Sequence, residues 1–293
     1  MFEVKHLKGN TYYLQCFSNI GIYYLGNGEV ILIDAGDHKK SVTDLYNFLE
    51  EKSWRVKAIF NTHSHLDHIA GNRFFKDKYG CKAYASEMEQ FYGVYPQIDV
   101  AEIFMSVPVK INQSSMLNNP GTETELLTKA VLPEGFEIMP LPGHTFNMVA
   151  IMTPDNVWFL GDAVLAKMTY EGYKIPFFFD INKSIETCEM LAEMKASFFV
   201  PSHDTPYEND IRELALYNAE KLRQIKEYIF SLCDGRTLEG ILQKADEDMK
   251  LNYNLEKYAR VLFTVRAFLQ SLISDGRINA DIKDGRLVYR VEK

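Results

Sequence analysis

The chain has 293 residues, of which 46% are hydrophobic and 25% are charged, the ordinary composition of a globular protein. This composition excludes intrinsic disorder and collagen-like or coiled-coil architectures. There are 32 Lys and Arg against 40 Asp and Glu, so the net charge is −8. An acidic chain is a poor partner for nucleic acids, whose phosphates require a basic surface. The sequence also lacks an apolar run of about 18 residues, so it predicts no membrane-spanning segment.

The cysteines and the amino-terminal residues bear on the expected compartment. Four cysteines lie far apart along the chain, and no Cys-x-x-Cys is present. This pattern is typical of a reduced intracellular chain rather than of a disulfide scaffold or a thiolate zinc site. Residues 1–6 show no basic region followed by an apolar run, so the sequence predicts no signal peptide and a cytoplasmic location.

The first part of the chain alternates predicted strands and helices. Residues 21–25 and 29–34 flank Gly26-Asn27-Gly28, which predicts a β-hairpin. Residues 88–135 are rich in Pro, Gly, Asn and Tyr, which predicts loops with short elements that cover or line a site. Apolar spacing and turn residues predict the elements between these segments: a helix over 41–52, a strand over 56–60, a helix over 71–79 and a strand over 82–85.

The pattern of predicted elements changes near residue 210. Before this point the apolar runs predict, in order, strands over 137–141, 148–152 and 157–160, a helix over 185–194 and a strand over 197–201. From residue 211 onward helix follows helix, and the chain ends in two short predicted strands around Lys283-Asp284-Gly285. This change predicts two domains, 1–209 and 210–293.

Three of the seven histidines lie close together, in the segment His63-Ser64-His65-Leu66-Asp67-His68. The segment follows a predicted strand and precedes a predicted helix. Neutral imidazoles with an ionised carboxylate form a nitrogen and oxygen site that suits zinc or iron. His63 and His65 differ by two positions, so they point the same way on an extended segment. Asp67 and His68 can face a second ion. A solvated polar loop would explain one such histidine, but not this spacing.

Three further polar residues each follow a predicted apolar strand. These are His144, Asp162 and His203. The ends of neighbouring strands gather at one rim of a sheet, where loops build functional sites. Any one of them alone could be a surface histidine or part of a turn. Together they predict that this rim carries the same site as the histidine-rich segment.

The segment 63–68 resembles the His-x-His-x-Asp-His signature of the metallo-β-lactamase superfamily. Asp34 resembles its early structural aspartate, and the likeness covers roughly residues 10–205. The resemblance implies an α/β fold, an αββα sandwich with a dinuclear metal site at one edge. Residues 213–291 resemble the winged-helix appendage of some members, which implies a small helical, winged-helix-like C-terminal domain. The later ligands of the superfamily fall at His144, Asp162 and His203.

The resemblance also implies a set of ligands for two divalent metal ions. Zinc is the expected metal, and iron or manganese also suits imidazole and carboxylate ligands. Two such ions share a hydroxide that attacks an electrophilic carbonyl or phosphorus, and Asp67 is the catalytic candidate because it can orient that hydroxide. The first ion is assigned to His63, His65 and His144, and the second to Asp67, His68 and His203, with Asp162 bridging both.

The ligand set limits the possible functions but does not identify a single one. Hydroxyacylglutathione hydrolases keep this set, whereas flavodiiron oxygen reductases need a Glu at the position of His65. The sequence therefore predicts a dinuclear metal-dependent hydrolase of a thioester or another acyl bond in a small molecule. A phosphodiesterase or nuclease on the same core, a di-iron redox enzyme and a non-catalytic binding protein remain alternatives. Tyr173 and Lys174 follow the bridging aspartate and are candidates for contact with the substrate.

The C-terminal segment has two interpretations. A winged helix in isolation suggests DNA binding, but these helices are not clearly basic and the segment is close to neutral. A helical cap or a homodimer contact therefore fits the sequence better. The predicted partners are a small-molecule substrate and a second copy of the chain, with no nucleic acid and no membrane.

Overall fold

The computed structural model describes residues 2–36, 39–105 and 121–292. Within these ranges the amino-terminal β-sheet has its strands in chain order, antiparallel from β1 to β4 and parallel from β4 to β7. Its strands are β1 (Glu3–Lys8), β2 (Thr11–Gln15), β3 (Ile20–Gly26), β4 (Glu29–Ile33), β5 (Arg55–Phe60), β6 (Lys82–Ala85) and β7 (Glu125–Leu126).

Helices connect the parallel strands of this sheet and cover its outer face. Leu45, Leu49 and Phe75 are fully buried and pack on Leu32 and Ile59 of the sheet. Burying such side chains stabilises the fold by about 1.5–3 kcal/mol each. The helices of this part are α1 (Lys39–Lys52), α2 (Leu66–Ile69), α3 (Asn72–Tyr79), α4 (Glu87–Val94) and α5 (Pro96–Phe104).

The second sheet has the strand order β12-β11-β10-β9-β8, with β10 and β11 parallel and the other pairs antiparallel. Its outer face packs on helices, with Trp158 and Phe199 against Leu191 and Leu214. The elements are β8 (Glu137–Pro140), β9 (Val149–Thr153), β10 (Val157–Phe159), α6 (Lys167–Tyr173), α7 (Ile181–Glu193), β11 (Phe198–Val200), β12 (Tyr207–Glu208) and α8 (Arg212–Ser231).

The inner faces of the two sheets pack against each other. Ile31 and Phe60 of the first sheet share one buried cluster with Ile151, Phe159 and Val200 of the second. The layers therefore run helix, sheet, sheet, helix, and the predicted αββα sandwich is confirmed. Since β5, β10 and β11 all end at the same rim, the loops that follow them are brought together.

Two further helices and a small sheet follow α8 in the described part of the chain. The two predicted terminal strands are confirmed as the hairpin of β14 and β15, and the short strand β13 beside β15 was not predicted. Among the described residues no helix combines the length and the apolar character needed to cross a membrane. After α8 the elements are β13 (Asp234–Arg236), α9 (Leu238–Met249), α10 (Leu255–Ser274), β14 (Ile278–Lys283) and β15 (Arg286–Val291).

The core of this C-terminal part is continuous with the sandwich. Leu222 and Ile229 of α8 and Phe268 of α10 pack with Tyr170 and Phe178, which precede α8 in the chain. The first half of α8 packs instead on α7. The helix α8 thus contributes to two cores. The division at residues 209 and 210 and the likeness to a winged helix stay predictions.

Two segments are more regular than the sequence pattern predicts. Within 88–135 the structure forms α5 and most of α4, while residues 106–120 lie outside the described ranges. Pro96 begins α5 rather than interrupting it, because the first helical position needs no N–H donor. The helix predicted from residue 185 begins at Ile181, since the carboxylate of Asp180 caps it by accepting the N–H of Lys183 at 3.0 Å.

Candidate metal centre

The structure brings all seven sequence-predicted ligands to one rim of the sandwich. The histidine-rich segment follows β5, His144 lies between β8 and β9, Asp162 follows β10, and His203 follows β11. One donor atom from each residue lies within 4.8 Å of the others of its group. The first group is His63, His65, His144 and Asp162, and the second is Asp67, His68, Asp162 and His203.

The first group consists mainly of converging imidazoles. Nδ1 of His65 lies 3.1 Å from Nε2 of His63 and 3.0 Å from Nε2 of His144. Nε2 of His144 is also 3.4 Å from a carboxylate oxygen of Asp162. Three ring nitrogens that approach one point, next to an ionised oxygen, form a coordination site for a cation.

The second group pairs imidazoles with carboxylates. Nε2 of His68 is 3.4 Å from an oxygen of Asp67 and 3.4 Å from an oxygen of Asp162. Nε2 of His203 lies 3.3 Å from Asp67 and 3.2 Å from Asp162. Asp162 therefore belongs to both groups and is placed between them.

Hydrogen bonds at the far side of the rings set their orientation. Asp34, held at a φ of 61°, accepts hydrogen bonds from the N–H and the hydroxyl of Thr62, both at 2.8 Å, and from Nδ1 of His68 at 2.9 Å. Nδ1 of His203 donates to the carbonyl of Phe17 at 2.7 Å. With Nδ1 engaged in this way, Nε2 of each ring is the nitrogen that faces the site, and it can bind a metal ion once it has lost its proton.

The donor atoms fit a metal ion. Among the described residues, Nε2 of His68, Oδ1 of Asp162 and Nδ1 of His144 are buried without a hydrogen-bond partner. Buried polar atoms without partners are rare in folded proteins, and the first two point into the second group. A divalent cation would satisfy both atoms, and imidazole with carboxylate suits zinc, iron or manganese.

Comparison with known families gives the same assignment as the geometry. Residues 13–203 match the family model of the Metallo-beta-lactamase superfamily. The chain belongs to this superfamily. Hydroxyacylglutathione hydrolase 1 of Vibrio vulnificus is 28% identical over 138 residues, 47% of this chain and 44% of that protein. Hydroxyacylglutathione hydrolase of Hyphomonas neptunium is 29% identical over 144 residues, 48% of this chain and 45% of that protein. The match thus spans less than half the length of these two relatives.

Solved structures resemble nearly the whole of this superfamily member. A beta-lactamase domain protein from Burkholderia ambifaria has a TM-score of 0.73 at 14% identity, with 99% of this chain and 94% of that chain covered. A metallo-beta-lactamase family protein from Thermus thermophilus has a TM-score of 0.66 at 18% identity, with 94% of each chain covered. At this identity the likeness concerns the fold, and it extends into the C-terminal part.

Sequence reasoning missed Glu89, a buried carboxylate that braces two of the ligand loops. Its side chain accepts the N–H and the hydroxyl of Ser64 at 2.9 and 2.6 Å, and Ser64 lies between His63 and His65. It also accepts the hydroxyl of Thr145, next to His144, at 2.5 Å. Glu89 is 1% exposed. Glutamate is rarely buried unless it is paired, and these hydrogen bonds supply its partners. The sequence predicts loops with short elements over residues 88–135, so it did not place Glu89 on a helix.

Replacing Glu89 with Ala should weaken metal binding to the first group by about 10–100-fold, the usual effect of removing a group that orients ligands. The loss of its hydrogen bonds leaves the Ser64 N–H and the Thr145 hydroxyl unpaired, so both loops relax. Metal affinity measured by competition with a chelator checks this. Glu87→Ala, on the exposed side of the same helix, is the matched control, and equal affinity in both variants would contradict the bracing role.

The protonation of the rings differs between the two groups. Burial lowers the pKa of His144 to about 3, and burial with neighbouring imidazoles lowers the pKa of His63 well below its usual value. Burial opposes the charge on His203 as well, but Asp162 and Asp67 outweigh it and raise the pKa of His203 to about 10. Burial likewise opposes the charge on His68, but the neighbouring carboxylates, above all Asp67, outweigh it and raise the pKa of His68 well above its usual value. At neutral pH the first group is thus neutral at His63 and His144, and the second holds two imidazolium ions.

Metal uptake by the second group should therefore release about two protons at pH 7, because ligating imidazoles must be neutral. Uptake by the first group should release fewer, because His63 and His144 are already neutral. Raising the pH removes the competing protons, so affinity at the second group should rise with pH towards the pKa of His203, about 10. Titration calorimetry in buffers of different protonation enthalpy measures the count. Equal proton release at both steps would show that this charge pattern is wrong.

Proposed function

We propose that this superfamily member is a hydrolase that holds two divalent metal ions, with zinc expected, and cleaves a thioester or another acyl bond of a small molecule. The observation that carries the proposal is the convergence of seven nitrogen and oxygen donors in two groups that share Asp162. Membership of the superfamily and the similarity to proteins named hydroxyacylglutathione hydrolase support it.

The residues of the site have separable tasks in this reaction. Metal ions in the two groups would supply a hydroxide nucleophile at neutral pH and polarise the acyl oxygen. Burial opposes ionisation of Asp67, but His68 and His203 outweigh it and hold its pKa well below the usual range. The hydroxyl of Ser18 fixes one oxygen of Asp67 at 2.7 Å. Asp67 is therefore an ionised, oriented acceptor that can take a hydrogen bond from an attacking water.

The surroundings of the site favour acyl bonds over phosphodiesters. The cavity that adjoins His65 and His144 is lined by aromatic and acidic side chains, and the lining residues that the structure describes include neither Lys nor Arg. A phosphodiester carries a negative charge that would meet these carboxylates. The net charge of −8 would also repel the phosphodiester at longer range.

A substrate panel tests the proposal. The purified protein, analysed for bound metal without any added ion, is offered an acetyl thioester, a lactone and bis-p-nitrophenyl phosphate. We expect close to two ions per chain and hydrolysis of the thioester above the phosphodiester. His6→Ala, an exposed histidine outside the site, is the control for unspecific damage. Preferred hydrolysis of the phosphodiester would replace the acyl hydrolase with a phosphodiesterase, and an iron-loaded protein without hydrolysis would favour redox chemistry.

A further inference from the structure

Two of the five candidate imidazoles lack a hydrogen bond behind the ring. His63, His68 and His203 each engage Nδ1 with an oxygen atom, at 3.1, 2.9 and 2.7 Å, and such bonds normally set the orientation of a metal-binding ring. In the described part of the chain, Nδ1 of His144 is buried without a partner. The ring of His65 has hydrogen-bond contacts only through Nδ1, which faces the other ligands. Another contact must therefore hold these two rings towards a metal ion.

One phenylalanine contacts both of these rings. Phe177 follows the exposed Tyr173 and Lys174, the candidates for substrate contact, and its own side chain is partly buried. Its ring centroid lies 5.5 Å from that of His65 at an interplanar angle of 71°, and 5.7 Å from that of His144 at 78°. Both contacts are edge to face, a geometry that aromatic rings prefer at centroid distances of about 4.5–7 Å. A single ring thus restricts the rotation of both imidazoles.

The C-terminal part supports Phe177 in this position. Phe263 of α10, which lines the cavity beside the first group, stacks on Phe177 at 5.0 Å with an interplanar angle of 21°. The next residue, Phe178, lies 6.1 Å from the ring of His144 at 87° and belongs to the same buried cluster as Phe268 of α10. The helix α10 therefore packs with both phenylalanines that contact the ligand rings, although none of the seven candidate ligands lies in the C-terminal part.

Backbone hydrogen bonds fix this segment independently of α10. The N–H groups of Phe179 and Asp180 donate to the carbonyl of Gly143, the residue before His144, at 3.0 and 2.9 Å. These bonds remain when a side chain of α10 is replaced. Phe263 is only partly buried, so the loss of its ring should cost less stability than the loss of a core side chain. A substitution there can therefore change the orientation of the ligand rings without unfolding the loop.

We propose that Phe177 and Phe263 are positioning residues for the first ligand group, and that through them the C-terminal part sets the affinity of this group for its metal ion. The inference rests on the two-metal site of the proposed function and is independent of the substrate. Among the ring contacts of the described residues, none joins either phenylalanine to His68 or His203. The second group should therefore not depend on them, which makes it an internal reference.

Cobalt(II) tests the proposal, because its visible absorption depends on the identity and the arrangement of its ligands. The full chain is loaded with cobalt(II), and a chelator then removes the ions stepwise. Phe177→Ala and Phe263→Ala should weaken binding at the first group about three- to tenfold, the effect expected from the loss of one or two aromatic contacts. The absorption of the cobalt ion in this group should change as well, because the rings of His65 and His144 are no longer held at fixed angles. The ion in the second group should keep its affinity.

Three further variants separate orientation from packing. Phe263→Tyr keeps a stacked ring and should keep the native spectrum and affinity. Phe263→Leu keeps apolar volume on α10 without a flat ring, so it should change the spectrum while the chain stays folded. Phe74→Ala removes a partly exposed phenylalanine of α3 whose ring contacts Phe75 and Tyr46, and it should leave both groups unchanged. Circular dichroism checks that each variant is folded.

The outcomes distinguish failure of this inference from failure of the proposed function. Native affinity and a native cobalt spectrum in Phe263→Ala and Phe263→Leu would overturn the positioning role alone. Equal weakening of both groups in these variants would also overturn it, because it would reveal a general loss of structure. A native chain that holds no cobalt ion in the first group would overturn the two-metal site of the proposed function, and the positioning role with it.

Discussion

Replacing His203 with Ala should leave one metal ion per chain and lower turnover at least about a hundredfold. His203 belongs only to the second group, where Nε2 lies 3.2–3.3 Å from Asp162 and Asp67, so the first group keeps all of its donors. A metal ion that stabilises developing charge contributes several kcal/mol to catalysis, and about 1.4 kcal/mol corresponds to a tenfold change in rate. Elemental analysis of the purified variant, together with its turnover number, measures both effects.

Two companion variants make this result specific. Asp162→Ala should lose both ions, because its carboxylate is shared by both groups. His6→Ala should keep both ions and full turnover. If His203→Ala retained two ions and the native rate, the place of His203 among the ligands would be wrong. If it lost both ions, the two groups would not bind independently.

The elements set by adjacent residues were the most predictable from the sequence. The hairpin around Gly26-Asn27-Gly28 is confirmed by β3 and β4, and the helix closed by Gly80 is confirmed by α3, where Gly80 has a φ of 68°. Both depend on local chemistry, since a short polar turn and a left-handed C-cap are set by a few adjacent residues. The ligands were predictable for a related reason. They follow strands that the sequence predicts, and parallel strands end at a common edge of the sheet.

Contacts between distant segments were not predictable in this way. Glu89 braces Ser64 and Thr145 from a helix that the local composition concealed, and 56 residues separate Glu89 from Thr145. Phe263 reaches the cavity because α10 packs beside α5, a contact that a single amphipathic pattern cannot specify. Binary patterning identifies which face of a helix is buried, but not which other helix covers it.

The C-terminal part bears on the stability of the whole chain through α8. Asn218, in the first half of this helix, is fully buried. It accepts the N–H of Leu165 at 2.9 Å and the hydroxyl of Tyr170 at 3.0 Å, and its amide donates to the carbonyl of Leu165 at 2.9 Å. These bonds fix the loop that follows Asp162. The second half of α8 instead packs on α10 through Leu222 and Ile229.

Removing residues 213–293 should therefore strongly destabilise the sandwich, although every candidate ligand precedes that point. The truncation deletes Leu214 and Ala219 from the outer layer of the second sheet and uncovers Phe178. Each large side chain that is lost or uncovered costs about 1.5–3 kcal/mol. The loss of several therefore removes a large part of a typical free energy of unfolding of about 5–15 kcal/mol. The apolar surface that the truncation would expose also favours aggregation.

A truncation after Ser231 is the matched comparison, because it keeps all of α8 and removes the rest. It should retain the bonds of Asn218 and so melt higher than the shorter fragment, yet below the full chain, since Leu222 and Ile229 lose their cover. Thermal melting, light scattering and metal content compare the three proteins. A 1–212 fragment that is monomeric, binds two ions and melts with the full chain would show that α8 is dispensable to the sandwich. The contacts of Asn218 would then contribute little to its stability.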